Sequence, residues 1–149
     1  MGEIIGVVSG KGGVGKTTVT ACLGAALSHA GHRVLLCDGD FGLRDLDLVL
    51  GVADEIIYDA LDASEDKEYT DDAIVSIAEN LDFLPASQSA RWEDIGRKKY
   101  KKLVDTVISR ERYSGSSFNL FRIGIRIKEI SNIINEEICI NHLFFSVFL

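Results

Sequence analysis

Gly10-Lys11-Gly12-Gly13-Val14-Gly15-Lys16-Thr17 puts four glycines and a lysine–threonine pair within eight residues, a spacing that fits G-x-x-x-x-G-K-[ST]. Glycines in such a loop let backbone N–H groups converge on phosphate oxygens, because a Cβ would block the approach. A helix opening near Lys16 adds unpaired amides and the positive end of its dipole. Lys16 would bridge the terminal phosphates, and the Thr17 hydroxyl would ligate Mg²⁺. The implied ligand is Mg-ATP. The protein's part in such a site is to position groups and neutralise charge rather than to do covalent chemistry.

Gly10-x-Gly12-x-x-Gly15 also satisfies the dinucleotide pattern, and Asp38 closes the next apolar run where a ribose-binding acid would sit. The Lys16-Thr17 pair weighs against an NAD(P) site, since a diphosphate resting on backbone amides needs neither group. A plain role is also open to Asp38 and Asp40, in strand-end capping and turn formation, which short acids favour. The acids Asp45, Asp47, Asp54, Asp59 and Asp62 read as solvated surface rather than as a metal cluster.

The elements that must position these groups are legible around the loop. Residues 4–9 form a short β-branched run that stops at glycines, the pattern of a strand buried on both faces. Residues 17–30 suit a helix, with Val19, Leu23, Ala26 and Leu27 on one face and Gly31 as the stop. Residues 33–37 read as a second buried strand ending at Asp38. Strand, helix and strand in about 35 residues make a βαβ unit, so an α/β fold is expected, a parallel sheet with flanking helices in Rossmann-like layers. Residues 56–61 read as a short helix, 72–78 are ambiguous between helix and strand, and 81–84 are a strand punctuated by Pro85. From 91 to 112 a long helix is expected, with Ile95, Tyr100, Leu103, Val104, Val107 and Ile108 at helical spacing. Its Arg97, Lys98, Lys99, Lys101 and Lys102 read as a solvated face rather than a nucleic-acid site.

Composition bounds the alternatives. The chain has 149 residues, 46% of them apolar, and 16 basic against 23 acidic side chains for a net charge of −7. That is room for one domain with an ordinary core, and no net field to attract DNA or acidic lipid. The three cysteines, Cys22, Cys37 and Cys139, form no C-x-x-C pair, which points to a reducing cytoplasm rather than a disulfide framework. No basic leader precedes the first strand, and no apolar run approaches the roughly 20 residues of a membrane span. After Asp105 the composition changes: neither Asp nor Ala recurs, and Ile, Phe, Asn and Ser crowd the remainder.

Lys11-Gly-Gly-Val-Gly-Lys-Thr-Thr18 resembles the deviant Walker A motif of the MinD/ParA family of P-loop ATPases. Asp38-Gly-Asp40-Phe-Gly-Leu-Arg-Asp-Leu-Asp-Leu-Val-Leu-Gly51, Ile57-Tyr-Asp-Ala-Leu-Asp62 and Leu84-Pro-Ala-Ser-Gln88 resemble the branch of that family that determines the septum site. The resemblance covers about the first 110 residues. It implies a homodimer that sandwiches ATP, with Lys11 reaching across to the partner's phosphates. It assigns Gly10, Lys11, Gly12, Gly13, Val14, Gly15, Lys16, Thr17 and Thr18 to the nucleotide, and Thr17 with Asp38, acting through water, to Mg²⁺. Lys11, Lys16 and Asp40 become the catalytic set, Asp40 positioning the attacking water. Division-inhibitor and topological-specificity proteins would be partners, with the inner face of the cell membrane as the working surface.

Residues 1–112 are then the N-terminal part of the ATPase domain, and 113–149 an atypical tail reading as truncation or a shifted frame. With no Asp after position 105, no second apolar strand ending in Asp is expected there, so the fold should be incomplete at that end. The family's basic membrane-docking helix finds no counterpart, since Glu136 and Glu137 sit where lysines would be needed. Ile127, Ile130, Ile134 and Ile138 would line one face of a helix in the tail. The alternatives left open are a non-hydrolysing nucleotide-binding fragment and a ParA-type partition ATPase acting on DNA cargo.

Overall fold

The computed structural model describes residues 3–8, 12–110, 112 and 117–123. Its strands are β1 (Glu3–Val8), β2 (Arg33–Asp38), β3 (Val75–Ala78), β4 (Leu81–Leu84) and β5 (Ser117–Ile123). Its α-helices are α1 (Lys16–His29), α2 (Leu46–Leu50), α3 (Ala60–Glu65) and α4 (Trp92–Ile108). The strands form a single sheet in the order β1-β5-β2-β4-β3.

β1, β5, β2 and β4 run parallel, while β3 pairs antiparallel with β4. The all-parallel expectation is therefore corrected at this edge. Only Glu79 and Asn80 separate β3 from β4, and a connection that short permits a hairpin but not a parallel crossover. Within the ambiguous stretch 72–78, residues 75–78 form this edge strand, and they alternate between half-buried and exposed.

A larger difference concerns the strand beyond the long helix, which composition argued against. Residues 117–123 form a strand there, inserted between β1 and β2, although it does not end in Asp. β5 pairs with β1 from Glu3↔Phe118 to Val8↔Ile123, and with β2 from Arg33↔Ser117 to Asp38↔Arg122. A strand needs an apolar β-prone run and two neighbours with open edges, and a terminal Asp is not among those requirements. The chain supplies the run in Phe118, Leu120, Phe121 and Ile123 and ends it at Arg122-Ile123. Ile127, Ile130, Ile134 and Ile138 lie outside the described residues.

Both faces of the sheet are covered, so β4 and all of β2 after Arg33 are buried without alternation. On one face Leu35, Cys37 and Leu84 pack with Ala60 and Ala63 of α3 and with Ile95, Leu103 and Val107 of α4. On the other, Val34, Leu36, Leu81 and Phe83 pack with Ala21 of α1, Leu46 and Val52. The face of α1 that meets the sheet is set by Thr20, Ala21 and Gly24, flanked by half-buried Leu23 and Leu27, while Ala26 is exposed. Gly24 permits this approach, because a Cβ there would stand 2.6 Å from Leu36 Cδ2. On α4, Lys98, Lys99 and Lys102 are exposed, as expected for its basic side.

α3 begins four residues later than the sequence pattern suggests. Asp59 accepts from the N–H groups of Leu61 and Asp62 at 2.8 and 3.4 Å, and the Asp62 carboxylate accepts from Asp59 N–H at 2.9 Å. This reciprocal cap fixes the start at Ala60. Two of the acids assigned to solvated surface are thus structural. A third, Asp47, is fully buried: it holds Arg44 Nε at 2.8 Å and accepts from Leu48 N–H at 2.9 Å. At the far end of the sheet, Arg112 grips Asp82 through two nitrogens at 2.6 and 3.0 Å, while Arg33 Nη1 donates to the Arg112 carbonyl at 3.1 Å. That clamp ties the exit of α4 to the start of β2, where β5 enters the sheet.

Two stability consequences follow. Phe83 is fully buried within one apolar cluster, so Phe83→Ala should cost about 3–5 kcal/mol in urea denaturation. Arg44→Ala strands a buried carboxylate and should cost about 3 kcal/mol in the same measurement, with Asp47→Asn in that background recovering part of the loss.

Candidate nucleotide-binding site

Parallel pairing sets the ends of β1, β5 and β2 side by side. The loop after β1 and the Asp38–Asp40 segment after β2 therefore emerge from the same, carboxyl edge of the sheet, where open α/β sheets place their ligands. Gly13 and Gly15 adopt left-handed backbone angles, with φ of +74° and +93°, which side-chain-bearing residues rarely take. A Cβ at Gly12, Gly13 or Gly15 would meet no atom within 4 Å. The loop is thus glycine-bearing for backbone shape and open approach, and it faces unfilled space.

Gly15 is the N-cap of α1, so no side chain caps the helix, and its first turn contains no acid. The first amides of a helix have no acceptors within it, and no residue of this first turn is acidic. An anion fits that arrangement. Lys16 and Thr17 are half-buried in the first turn and Thr18 is exposed. The Thr20 hydroxyl donates to the Lys16 carbonyl at 2.8 Å, bracing the turn from inside. Val14 is half-buried, and Gly10 and Lys11 lie outside the described residues.

Asp38, the last residue of β2, is wholly excluded from solvent. Its Oδ1 accepts the Asp40 N–H at 3.0 Å, which fixes where Asp40, half-buried, leaves the strand. The Asp40 carbonyl accepts in turn from the N–H groups of Leu43 and Arg44 at 3.2 Å each. The plainer turn-forming role is therefore realised by the Asp38 carboxylate, while Asp40 enters the turn through its main chain. Next to them, burial, with the Asp38 carboxylate adding to it, pushes the Cys37 thiol well above the ordinary thiol range. Cys37 is consequently no thiolate nucleophile at neutral pH.

Other anchors of this loop were not singled out from sequence. Gly42 N–H donates to the Ser87 carbonyl at 2.9 Å, and the Gln88 side-chain oxygen, turned towards Arg44, accepts from its Nη2 at 3.1 Å. Ala60 N–H donates to the Pro85 carbonyl at 2.9 Å. The segments around Asp38–Gly51 and Ile57–Asp62 are thereby each hydrogen-bonded to Leu84–Gln88. An i,i+3 Arg–Asp spacing at Arg44 and Asp47 was the available signal for part of this, and it passed as surface charge. A cavity of ≈ 330 Å³ lined by Asp71, Ile74, Ser76, Asp82, Arg110 and Arg112 has its carboxylates already paired, Arg110 with Asp71 and Arg112 with Asp82.

These features fit a triphosphate on the glycine loop, and a hydroxyl and a carboxylate, Thr17 and Asp38, fit a hard cation that takes oxygen ligands. No helix among the described residues is long and apolar enough to cross a membrane.

Comparison with known proteins agrees with this geometry. The septum site-determining protein MinD of Synechocystis sp. is 49% identical over 107 residues, 70% of this chain and 40% of that protein. The chain thus spans about 40% of the length of the curated relatives it matches. The MinC:MinD cell division protein complex of Aquifex aeolicus superposes with a TM-score of 0.66 at 38% identity, covering 83% of this chain and 48% of that one. MinD of Pyrococcus horikoshii complexed with Mg-ADP gives 0.65 at 34% identity, covering 90% and 54%. The model of the CobQ/CobB/MinD/ParA nucleotide-binding domain matches residues 5–144. With that match running across nearly all of its length, the chain belongs to the CobQ/CobB/MinD/ParA nucleotide-binding family.

Proposed function

We propose that the chain binds ATP with Mg²⁺ at the loop opening α1 and hydrolyses it, as the nucleotide-binding part of an ATPase that places the division septum. One observation carries the reading: left-handed glycines at 13 and 15 with open space before them, leading into a helix with neither cap nor acid. Backbone amides of residues 12–18 hold the phosphate oxygens, and Lys16 offsets their charge. Thr17 directly and Asp38 through water hold Mg²⁺, which when bound neutralises phosphate charge and fixes the phosphates' orientation. Asp40, tethered through its own amide to Asp38, orients the attacking water. Lys11 reaches the phosphates of a second ATP-loaded copy, so that the homodimer is the active form.

The cellular part of the proposal is supported by the relatives' names, septum site-determining proteins, and by a neighbour solved as a MinC:MinD complex. Division-inhibitor and topological-specificity proteins are the partners on this reading. The site of action is the cytoplasm and, in the ATP-bound dimer, the inner face of the membrane. The unit 1–112 contains every residue given a role here.

A second reading, nucleotide binding without turnover, is favoured by the end of β5, where Arg122-Ile123 stands in place of the strand-terminal Asp expected of such an ATPase. Mg-ATP affinity by calorimetry and phosphate release measured side by side separate the two. Lys16→Ala should weaken ATP binding by about tenfold or more. Asp40→Ala should leave binding within about threefold and lower turnover by about a hundredfold. Tight binding with no phosphate release from the parent chain selects the second reading, and absence of binding by the folded chain rejects both.

A further inference from the structure

We propose that Arg44 and Gln88 are positioning residues for turnover: the Arg44 guanidinium, shared between Asp47 and Gln88, holds the main-chain turn that presents Asp40 to the attacking water. The inference rests on the hydrolytic reading above and deepens it. Asp40 is tied down on one side by its own N–H, which donates to Asp38 Oδ1 at 3.0 Å. On the other side its carbonyl accepts from the N–H groups of Leu43 and Arg44 at 3.2 Å each. Arg44, which closes this turn, has a φ of +27°, a backbone shape that a residue with a Cβ seldom keeps unless its contacts enforce it.

Those contacts are made by the Arg44 side chain. Its Nε donates to Asp47 Oδ2 at 2.8 Å, and the two side chains are 12% and 0% exposed. The Gln88 side-chain oxygen, turned towards it, accepts from Nη2 and Nε at 3.1 and 3.2 Å. Asp47 belongs to α2 and Gln88 to the segment after β4, so one guanidinium joins two elements far apart in the chain. Its donors stand in a fixed planar fork, whereas an ammonium is a point of charge that can serve two acceptors without fixing their geometry. Beside it, Gly42 N–H donates to the Ser87 carbonyl at 2.9 Å, so main chain and side chain both hold the turn to the segment after β4. The clamp fixes Asp40 and leaves nucleotide affinity to the glycine loop. A displacement of about 1 Å at a group that orients a reactant can cost about a hundredfold in rate, so loosening the clamp lowers turnover and spares binding.

The test has two arms. Turnover at saturating Mg-ATP and ATP affinity are measured on the full chain for the parent, Gln88→Ala, Gln88→Glu and Arg44→Lys, each with its urea midpoint. Gln88 is exposed, and its truncation leaves the Arg44–Asp47 pair in place, so Gln88→Ala should unfold with the parent. The expected result is turnover lowered about fivefold or more in Gln88→Ala and about tenfold or more in Arg44→Lys, with affinity moving by less than about threefold in both. Gln88→Glu, which keeps an acceptor oxygen, should recover most of the loss, and equal loss in both Gln88 variants overturns the proposal. Turnover within about twofold of the parent in Gln88→Ala or in folded Arg44→Lys, or a fall no larger than the accompanying fall in affinity, also overturns it. The second arm needs no turnover: in the nucleotide-free protein, hydrogen exchange at the Leu43 and Arg44 amides should quicken about tenfold in Gln88→Ala, while the amides of α1 keep the parent's rates. Unchanged exchange at both amides overturns the clamp. Should the parent bind ATP without releasing phosphate, the hydrolytic reading falls, while the exchange arm still decides whether the guanidinium holds the turn.

Discussion

The in-register parallel ladder of β1, β5 and β2 is the constraint from which the rest of the molecule follows. Parallel neighbours cannot be joined by a hairpin, so each crossover must carry a helix over a face of the sheet. Covering both faces buries β2 on both sides, and its successive residues are divided between two apolar clusters: Leu35 and Cys37 to one, Val34 and Leu36 to the other. The same direction of travel brings the ends of β1 and β2 to one edge. A phosphate loop and a strand-end aspartate share that edge because the strands that deliver them point the same way.

Around this frame the site is held by small, local interactions rather than by a deep core. The start of α1 depends on two left-handed glycines and a back-bond from the Thr20 hydroxyl. The segment carrying Asp40 depends on the Asp38 carboxylate, the Gly42–Ser87 backbone bond and the buried Arg44–Asp47 pair. Arg44 itself sits at a φ of +27°, so the pairing holds a backbone shape that a non-glycine residue seldom adopts. Charge pairing and backbone geometry thus fix the position of Asp40 together.

Much of this was legible in the residues. The glycine loop announces itself because its backbone shape and its close approach to a ligand both require glycine, and because Lys16 and Thr17 follow at a fixed offset. The βαβ unit was equally plain, since β2 is an uninterrupted apolar run. Apolar spacing alone misplaces the start of α3, which is set instead by the cap that Asp59 and Asp62 form. β3 was ambiguous because four residues carry too little periodicity to separate a strand from a helical turn. β5 is hard to read for a different reason: the change in composition after Asp105 and the lack of a terminal Asp mask the β-prone run Phe-Asn-Leu-Phe. The burial of Asp47 depended on a partner three residues away, and no count of charges conveys which acids will face inward.

The family assignment and the geometry meet at the sheet's carboxyl edge, where two of the segments that carried the resemblance, around Asp38–Gly51 and Ile57–Asp62, are hydrogen-bonded to a third, Leu84–Gln88. One neighbouring feature reaches beyond nucleotide chemistry. Cys37 lies in the central strand β2, shut off from solvent with its thiol held protonated, whereas Cys22 is exposed on α1. An electrophile added to the native protein can modify the first only when the sheet comes apart around it. The chain therefore contains its own clock for opening of the central strands, with an accessible sulfur on the same molecule to calibrate the reagent.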